Sequence, residues 1–306
     1  MARPDPAKVR YIMRQKDLGR STREIALEVK VCGRWVQKLY ARYLETGTVP
    51  ELGRPGRPKR VVTEQMRSAV SGCLAKYRMG AVAMERIIRD VHGIHIPHNT
   101  IHLIMKDLGV AARQPRKSKR RKWVRYERTY SNSMWHTDYK LLDDGRWFLA
   151  YQDDASRFIT GYGVFAEATG DNALAVLRAA MRVHGTPASI LTDRGSQFYA
   201  TEAEARKKGA SGFEQKLARL GIRHILARVG HPQTNGKLER FHGEIQRKQK
   251  LFADIHELVH WWNEIRPHMS LDWDSLETPS RAFARKMPPK GTVVTDEQTG
   301  EAYNVT

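Results

Sequence analysis

Ser189-Ile190-Leu191-Thr192-Asp193 reads as a short buried strand that ends in a carboxylate, and the loop Arg194-Gly195-Ser196-Gln197-Phe198 follows it. Upstream, residues 171–184 carry Leu174, Leu177, Ala180 and Met181 at helical spacing. Before that helix lie three segments rich in aromatic and β-branched residues, at 134–142, 146–151 and 158–165. Turn signals separate them, at Asp143-Asp144-Gly145 and Asp153-Asp154-Ala155-Ser156. Downstream, 213–220 reads as a helix, 223–227 as a strand and 237–252 as a longer helix. Strands that come first in hairpins and then alternate with helices predict an α/β core over 129–285. Its mixed five-stranded sheet should carry helices on both faces, and a tail over 286–306 should follow.

The first 128 residues have a different texture. Residues 1–50 predict three short helices. Val9, Ile12 and Met13 share a face of the first, Ser21 or Thr22 caps the second, and a tight break at Cys32-Gly33 precedes the third, which stops near Gly47. Two helices around a small turn, the second carrying Arg34, Trp35, Gln37 and Lys38, read as a helix-turn-helix DNA-binding domain. A plain three-helix bundle with a solvated basic face is the alternative. Gly53-Arg54-Pro55-Gly56-Arg57-Pro58-Lys59-Arg60, within a linker at 51–62, forbids regular structure. It resembles an AT-hook, in which Arg54, Arg57, Lys59 and Arg60 would follow a narrow minor groove.

Residues 63–112 repeat the helical theme as a second helix-turn-helix, with Asn99, Thr100, His102 and Lys106 on its last helix as candidate DNA contacts. His92, His95, His98 and His102 invite a zinc site. A zinc module of that kind also needs a Cys-x-x-Cys pair, and Cys32 and Cys73 are the chain's two cysteines. Residues 113–128 are a basic linker without apolar period, where Arg116, Lys117, Lys119, Arg120, Arg121 and Lys122 are further candidate phosphate contacts.

Charge placement supports a polyanionic partner. The chain has 306 residues and a net charge of +20. Lys and Arg number 30 against 11 Asp and Glu in 1–128, and 23 against 22 beyond. Lysines and arginines release counterions condensed on phosphates, so double-stranded DNA is the expected partner, with RNA the alternative that charge alone leaves open. No run of apolar residues is long enough to span a membrane, and no secretory signal is visible, so the expected location is cytoplasmic.

Three carboxylates stand where phosphate chemistry needs them. Asp138 lies inside the first strand, Trp135-His136-Thr137-Asp138-Tyr139, where burial is costly unless the group is paired or bound to a cation. Asp193 closes a strand at the edge where α/β sheets bind ligands. Glu239 lies near the start of the last long helix, after His231-Pro232-Gln233-Thr234-Asn235-Gly236, on the flank of an apolar stripe of Leu238, Phe241 and Ile245. Oxygen ligands of this kind suit Mg²⁺ or Mn²⁺, and two such ions per site can clamp the attacking and leaving oxygens of a phosphoryl transfer. Lys237 and Arg240, on a polar stripe, are candidate contacts to phosphate near the reacting end. Asp153 and Asp154 read as turn residues, Glu244 as a weaker rival of Glu239, and Trp261 and Trp262 as core.

Taken together, Trp-His-Thr-Asp, Leu-Thr-Asp-Arg-Gly-Ser-Gln-Phe and His-Pro-Gln-Thr-Asn-Gly-Lys-Leu-Glu-Arg-Phe-His resemble the core of bacterial insertion-sequence DDE transposases and retroviral integrases. The resemblance continues in Trp262-Asn263-Glu264-Ile265-Arg266-Pro267-His268 and covers about 130 to 285. It implies a ribonuclease-H-like fold and a DDE site of Asp138, Asp193 and Glu239 that holds two Mg²⁺ or Mn²⁺ ions. It further implies binding of transposon ends, metal-dependent cleavage, 3′-hydroxyl strand transfer into target DNA, and assembly as a homodimer or larger on DNA. Forty-five residues separate Asp193 from Glu239, more than the usual spacing, with the excess placed in a surface insertion at 201–212. Two rival readings are an inactive DNA-binding regulator and a nuclease acting on RNA–DNA hybrids.

Overall fold

The computed structural model describes residues 5–52, 61–111, 127–200, 209–227, 236–289, 293–295 and 302–304. The chain parts into two compact units between Val61 and Val62.

The first unit holds α1 (Pro6–Asp17), α2 (Thr22–Val29) and α3 (Gly33–Thr46). Local chemistry sets each boundary. Asp5 accepts from the Ala7 N–H at the start of α1, and Ser21 and Glu24 form a reciprocal capping box on α2. Gly47, at φ 67°, ends α3 in a left-handed turn that a side chain would resist. Val9, Ile12, Met13, Ile25, Val29, Val36 and Leu39 bury the shared face.

The second unit begins with α4 (Glu64–Tyr77), α5 (Ala81–His92) and α6 (His98–Asp107). Ile87, Ile88, Ile101 and Ile104 lie at their common core, and Trp273 and Leu276, from the far end of the chain, pack against it. Polar contacts seat these helices on the sheet domain. The Trp261 indole N–H donates to Lys76 O at 3.2 Å, the Lys248 ammonium to Arg78 O at 2.6 Å, and the Arg86 guanidinium to Asp274 O at 2.8 Å.

The sheet domain has β1 (Trp135–Leu141), β2 (Trp147–Asp153), β3 (Ile159–Phe165), β4 (Ser189–Thr192) and β5 (Arg223–Leu226). The strand order is β3-β2-β1-β4-β5. The first three strands are antiparallel, and β4 and β5 run parallel to β1. This is the order and direction of a ribonuclease-H-like sheet, as the resemblance implies. On one face lie α7 (Gly170–His184) and α8 (Gly212–Arg219), packed on Trp135, Tyr139, Leu149 and Tyr151. On the other lies α9 (Gly236–Lys248), which packs with Trp261 and Trp262 on Phe148, Ala150 and Ile159. Both tryptophans are core, at 2% and 1% exposure. Gly161 lets α7 approach β3, since a Cβ there would meet the Ala180 Cβ at 2.8 Å.

The strand period of two divides β1 cleanly. Trp135, Thr137 and Tyr139 face α7, while His136, Asp138 and Lys140 face α9. Cross-strand partners share a face, and Asp138 pairs with Ala150.

Past α9 the structure holds elements that periodicity did not outline: α10 (Ile255–His260), a π-helical turn (Trp261–Ile265) and α11 (Pro279–Arg285). The turn aims Asn263 inward, where its amide accepts from Ile159 N at 2.9 Å and donates to Ile159 O at 3.0 Å, closing the start of β3 as a partner strand would. Where a tail was expected, β6 (Val293–Thr295) pairs antiparallel with β7 (Ala302–Asn304). Among the described residues, no helix is long and apolar enough to cross a membrane.

Candidate active site

Asp138 is half-buried on the α9 face of β1, and its Oδ1 accepts the Tyr139 N–H at 2.8 Å. Asp193 follows directly on β4. Its Oδ1 accepts the Gly195 N–H at 2.9 Å, which folds the next residues back as a tight turn. The strand end beneath it is held by Thr192, whose hydroxyl meets His224 Nε2 on β5 at 2.8 Å. Glu239 is exposed in the first turn of α9. Leu238, Phe241 and Ile245 bury the adjoining stripe of that helix and fix which way it faces.

The three carboxylates act on one another. Burial first, then the negative charge of Asp193, and less strongly that of Glu239, push the Asp138 carboxyl up from 3.8 to about 7, against the opposing Tyr139 N–H and Lys140 charge. Such a donor set, with oxygen ligands only, has the chemistry for a hard divalent cation. Among the described residues, no three acidic, histidine or cysteine side chains form a closed ligand cluster. Asp193 and Glu239 are nonetheless close enough for their charge to reach Asp138.

Glu244 does not compete with Glu239 for this position. Its carboxylate pairs with Arg247 at 2.6 Å and Lys248 at 2.8 Å, and burial is outweighed by Lys248, which holds its pKa down to about 2.

The candidate DNA contacts divide into several groups. Arg34, Gln37 and Lys38 are exposed along α3, whereas Trp35 is half-buried against the first unit's core. Asn99, His102 and Lys106 are exposed along α6. Thr100 must be set aside as a contact: it is 7% exposed, since with Ile101, Ile104 and Met105 it shares the inner face of that helix. Arg240 is exposed beside Glu239. Lys237, expected on the outward stripe, turns inward and meets a buried carboxylate. Arg54, Arg57, Lys59, Arg60, Arg116, Lys117, Lys119, Arg120, Arg121 and Lys122 lie outside the described residues, as does most of the insertion expected at 201–212. His95 and His98 hydrogen-bond Glu85 Oε1 and Oε2, each at 2.8 Å, and this bracket ties α5 to the first residue of α6 and the turn before it.

A buried polar network beside the carboxylates was not visible in the sequence. Asp153 fills its turn role, its Oδ2 accepting from Ser156 N at 2.8 Å and from the Ser156 hydroxyl at 2.6 Å. Asp154 does something else. Its Oδ1 accepts from His136 Nε2 at 2.6 Å and Lys237 Nζ at 2.5 Å, and its Oδ2 from Arg128 N at 2.7 Å. Burial opposes its charge, but the His136 hydrogen bond and the positive charges of His136, Lys237 and Arg157 outweigh it and hold the carboxyl well below the usual range. Burial in turn lowers Lys237 to about 8, against the pull of Asp154. The available signal was the adjacent acid pair at a strand end. Nothing local tells which of two neighbouring aspartates turns inward.

The integrase core domain matches residues 128–232, and again 220–275. An uncharacterized protein of Archaeoglobus fulgidus is 36% identical over 106 residues, 35% of this chain and 79% of that protein. The transposase of transposon Tn552 from Staphylococcus aureus is 29% identical over 38% of this chain, which spans 26% of it. An uncharacterized 31.7 kDa protein of insertion element IS407 from Burkholderia multivorans is 25% identical over 59% of this chain and 68% of that protein. Among solved structures, a simian T-cell lymphotropic virus intasome chain aligns at TM-score 0.44 and 18% identity, covering 75% of this chain and 80% of that one. The HTLV-2 integrase catalytic core domain in complex with magnesium aligns at TM-score 0.40 and 16% identity, covering 50% of this chain and 97% of that one. The motifs and the family-model matches agree, and the chain belongs to the integrase core domain family.

Proposed function

We propose that the chain binds the ends of a transposable element, cuts them, and joins the freed 3′-hydroxyl to target DNA. The observation that carries this reading is the convergence of Asp138 on the α9 face of β1, Asp193 at the end of the neighbouring strand β4, and Glu239 in the first turn of α9, near enough that the charges of the latter two bear on Asp138. Such an arrangement is unfavourable for the empty site and favourable for one that binds a divalent cation. Asp138, Asp193 and Glu239 would hold Mg²⁺ or Mn²⁺, two ions per site. Ions held there would supply the activation of water or a 3′-hydroxyl and the neutralisation of the leaving oxygen.

The remaining work falls to the chain's own residues. Asp138, once deprotonated, would serve as one of the ligands. The Gly195 N–H holds the Asp193 carboxylate at the end of β4 through its Oδ1. Arg240, exposed one residue past Glu239, meets the phosphate beside the reacting bond. Exposed Arg34, Gln37 and Lys38 on α3, and Asn99, His102 and Lys106 on α6, read or grip the duplex, with the basic segments around 54–60 and 116–122 neutralising further phosphates. Two ends must be held together, so the working form is a homodimer or larger on DNA.

The test is cleavage of duplex DNA carrying the element's ends, with Mg²⁺ or Mn²⁺ and with chelator, followed by joining to a target plasmid. Metal-dependent nicking at the end, abolished by Asp193→Asn while end binding stays near normal, is the expected result. Binding without metal-dependent nicking by the unaltered chain would favour a DNA-binding regulator instead. Preference for an RNA–DNA hybrid over duplex would favour a nuclease.

A further inference from the structure

The turn after β2 places a carboxylate at 1% exposure between the two elements that carry Asp138 and Glu239. Asp154 Oδ1 takes two hydrogen bonds, from His136 Nε2 at 2.6 Å and from Lys237 Nζ at 2.5 Å. Its Oδ2 takes the Arg128 N–H at 2.7 Å, and its own N–H donates to Met134 O at 2.9 Å. The carboxylate is thus fixed to the backbone at the mouth of β1 before it holds anything else.

What it holds matters for the site. His136 lies two residues before Asp138, on the same face of β1. Lys237 lies two residues before Glu239, in the first turn of α9. Successive helix residues turn by about 100°, so Lys237 and Glu239 stand about 200° apart, on opposite flanks of the stripe formed by Leu238, Phe241 and Ile245. Apolar packing resists lifting a helix off a sheet much more than it resists a small roll about the helix axis, because the contacts are numerous and non-directional. A charged hydrogen bond on one flank is directional, and pinning that flank sets the aim of the other.

Stability alone does not explain a charge here. An apolar side chain of similar volume often serves a buried position as well as an ion pair does.

We propose that Asp154 is a positioning residue, which through Lys237 fixes the roll of α9 and so sets how far Glu239 reaches toward Asp138. This rests on the reading of Asp138, Asp193 and Glu239 as a cation-binding trio.

The test is Mn²⁺ binding to the full chain without DNA, read from loss of the free-ion electron paramagnetic resonance signal, alongside the single-turnover cleavage rate at saturating DNA. The key variant is Lys237→Met, which keeps most of the side chain's apolar stem. Removing a positive charge beside the site should tighten Mn²⁺ binding if charge were all that mattered. Loss of positioning predicts the opposite: binding weaker by about tenfold, a similar drop in the single-turnover rate, and unchanged affinity for end DNA. Asp154→Ala, which also frees His136 and the Arg128 N–H, should lose at least as much, and the double variant should lose little more than Asp154→Ala alone, since the Lys237–Asp154 connection is already gone. Mn²⁺ binding by Lys237→Met that equals or exceeds that of the unaltered chain would overturn the inference. Should Asp154→Ala fail to fold, the Lys237→Met arm decides alone. Asp193→Asn separates the two levels. If it leaves Mn²⁺ binding intact, the cation-site reading itself falls. If it abolishes binding while Lys237→Met binds normally, only the positioning role falls.

Discussion

Asp138 and Ala150 face each other across the β1–β2 ladder, so the carboxylate has a buried methyl group, with no hydrogen bond to offer, as its cross-strand neighbour. That placement, with Asp193 and Glu239 nearby, raises its carboxyl from 3.8 to about 7. The folded form thus binds this proton more tightly than the unfolded chain. The resulting stability is fully present below the unfolded value of 3.8 and is lost as pH rises through about 7. In chelator, the melting temperature should therefore fall by ~2–4 °C between about pH 5 and about pH 8, and Asp138→Asn should flatten that slope. Calorimetry of both proteins at matched pH is the check, and parallel slopes would count against this origin.

The two glutamates of α9 should separate sharply. Glu239→Gln removes a charge from the trio and is expected to take cleavage below detection while leaving end binding within about twofold. Glu244→Gln breaks the pairs with Arg247 and Lys248. It should cost about 1 kcal/mol of stability and leave cleavage within about threefold. Gel-based cleavage and urea titration of both variants test the contrast.

On α6, exposure predicts which substitutions weaken DNA binding. Lys106→Ala should lower affinity for end DNA and reduce the slope of log affinity against log salt by about 0.9. Thr100→Val, on the buried face, should change neither. Filter binding over a salt series distinguishes them, and equal losses would mean that α6 does not present this face to DNA.

Trp261 joins the α4–α6 helices to the sheet domain through its indole N–H on Lys76 O. Trp261→Phe keeps much of the ring packing and loses the donor, so it should destabilise the chain by about 1–2 kcal/mol. Urea unfolding monitored by far-ultraviolet circular dichroism would show this, and an unchanged midpoint would dismiss the contact as incidental.

Much of the fold was legible because its signals are local. The meander strands, the β4 run ending at Asp193 and the α9 stripe of Leu238, Phe241 and Ile245 each declare themselves by period and punctuation. The helices of the first unit do so as well, through Ser21 and Gly47. The π-helical turn at Trp261–Ile265 follows no common period, and its logic, Asn263 closing the start of β3, depends on a strand about a hundred residues away. The candidate site was readable to the level of its three carboxylates, since their motifs are contiguous. The inward turn of Lys237 was not: on helical geometry it belongs to the polar flank, whereas the buried Asp154, brought from the far end of β2, receives its ammonium.

The seating of α4–α6 on the sheet domain has a metrical consequence. Helices joined to their neighbour through Lys76, Arg78 and Arg86 cannot swing independently of it. If α6 grips the duplex as proposed, the span from gripped base pairs to severed bond is built into the protein as a ruler of set length. Inserting one base pair into that span would carry the target phosphate about a tenth of a turn around the double helix. The chain would then meet the wrong side of its own substrate, and the terminus of the mobile element would be defined by protein architecture as much as by base sequence.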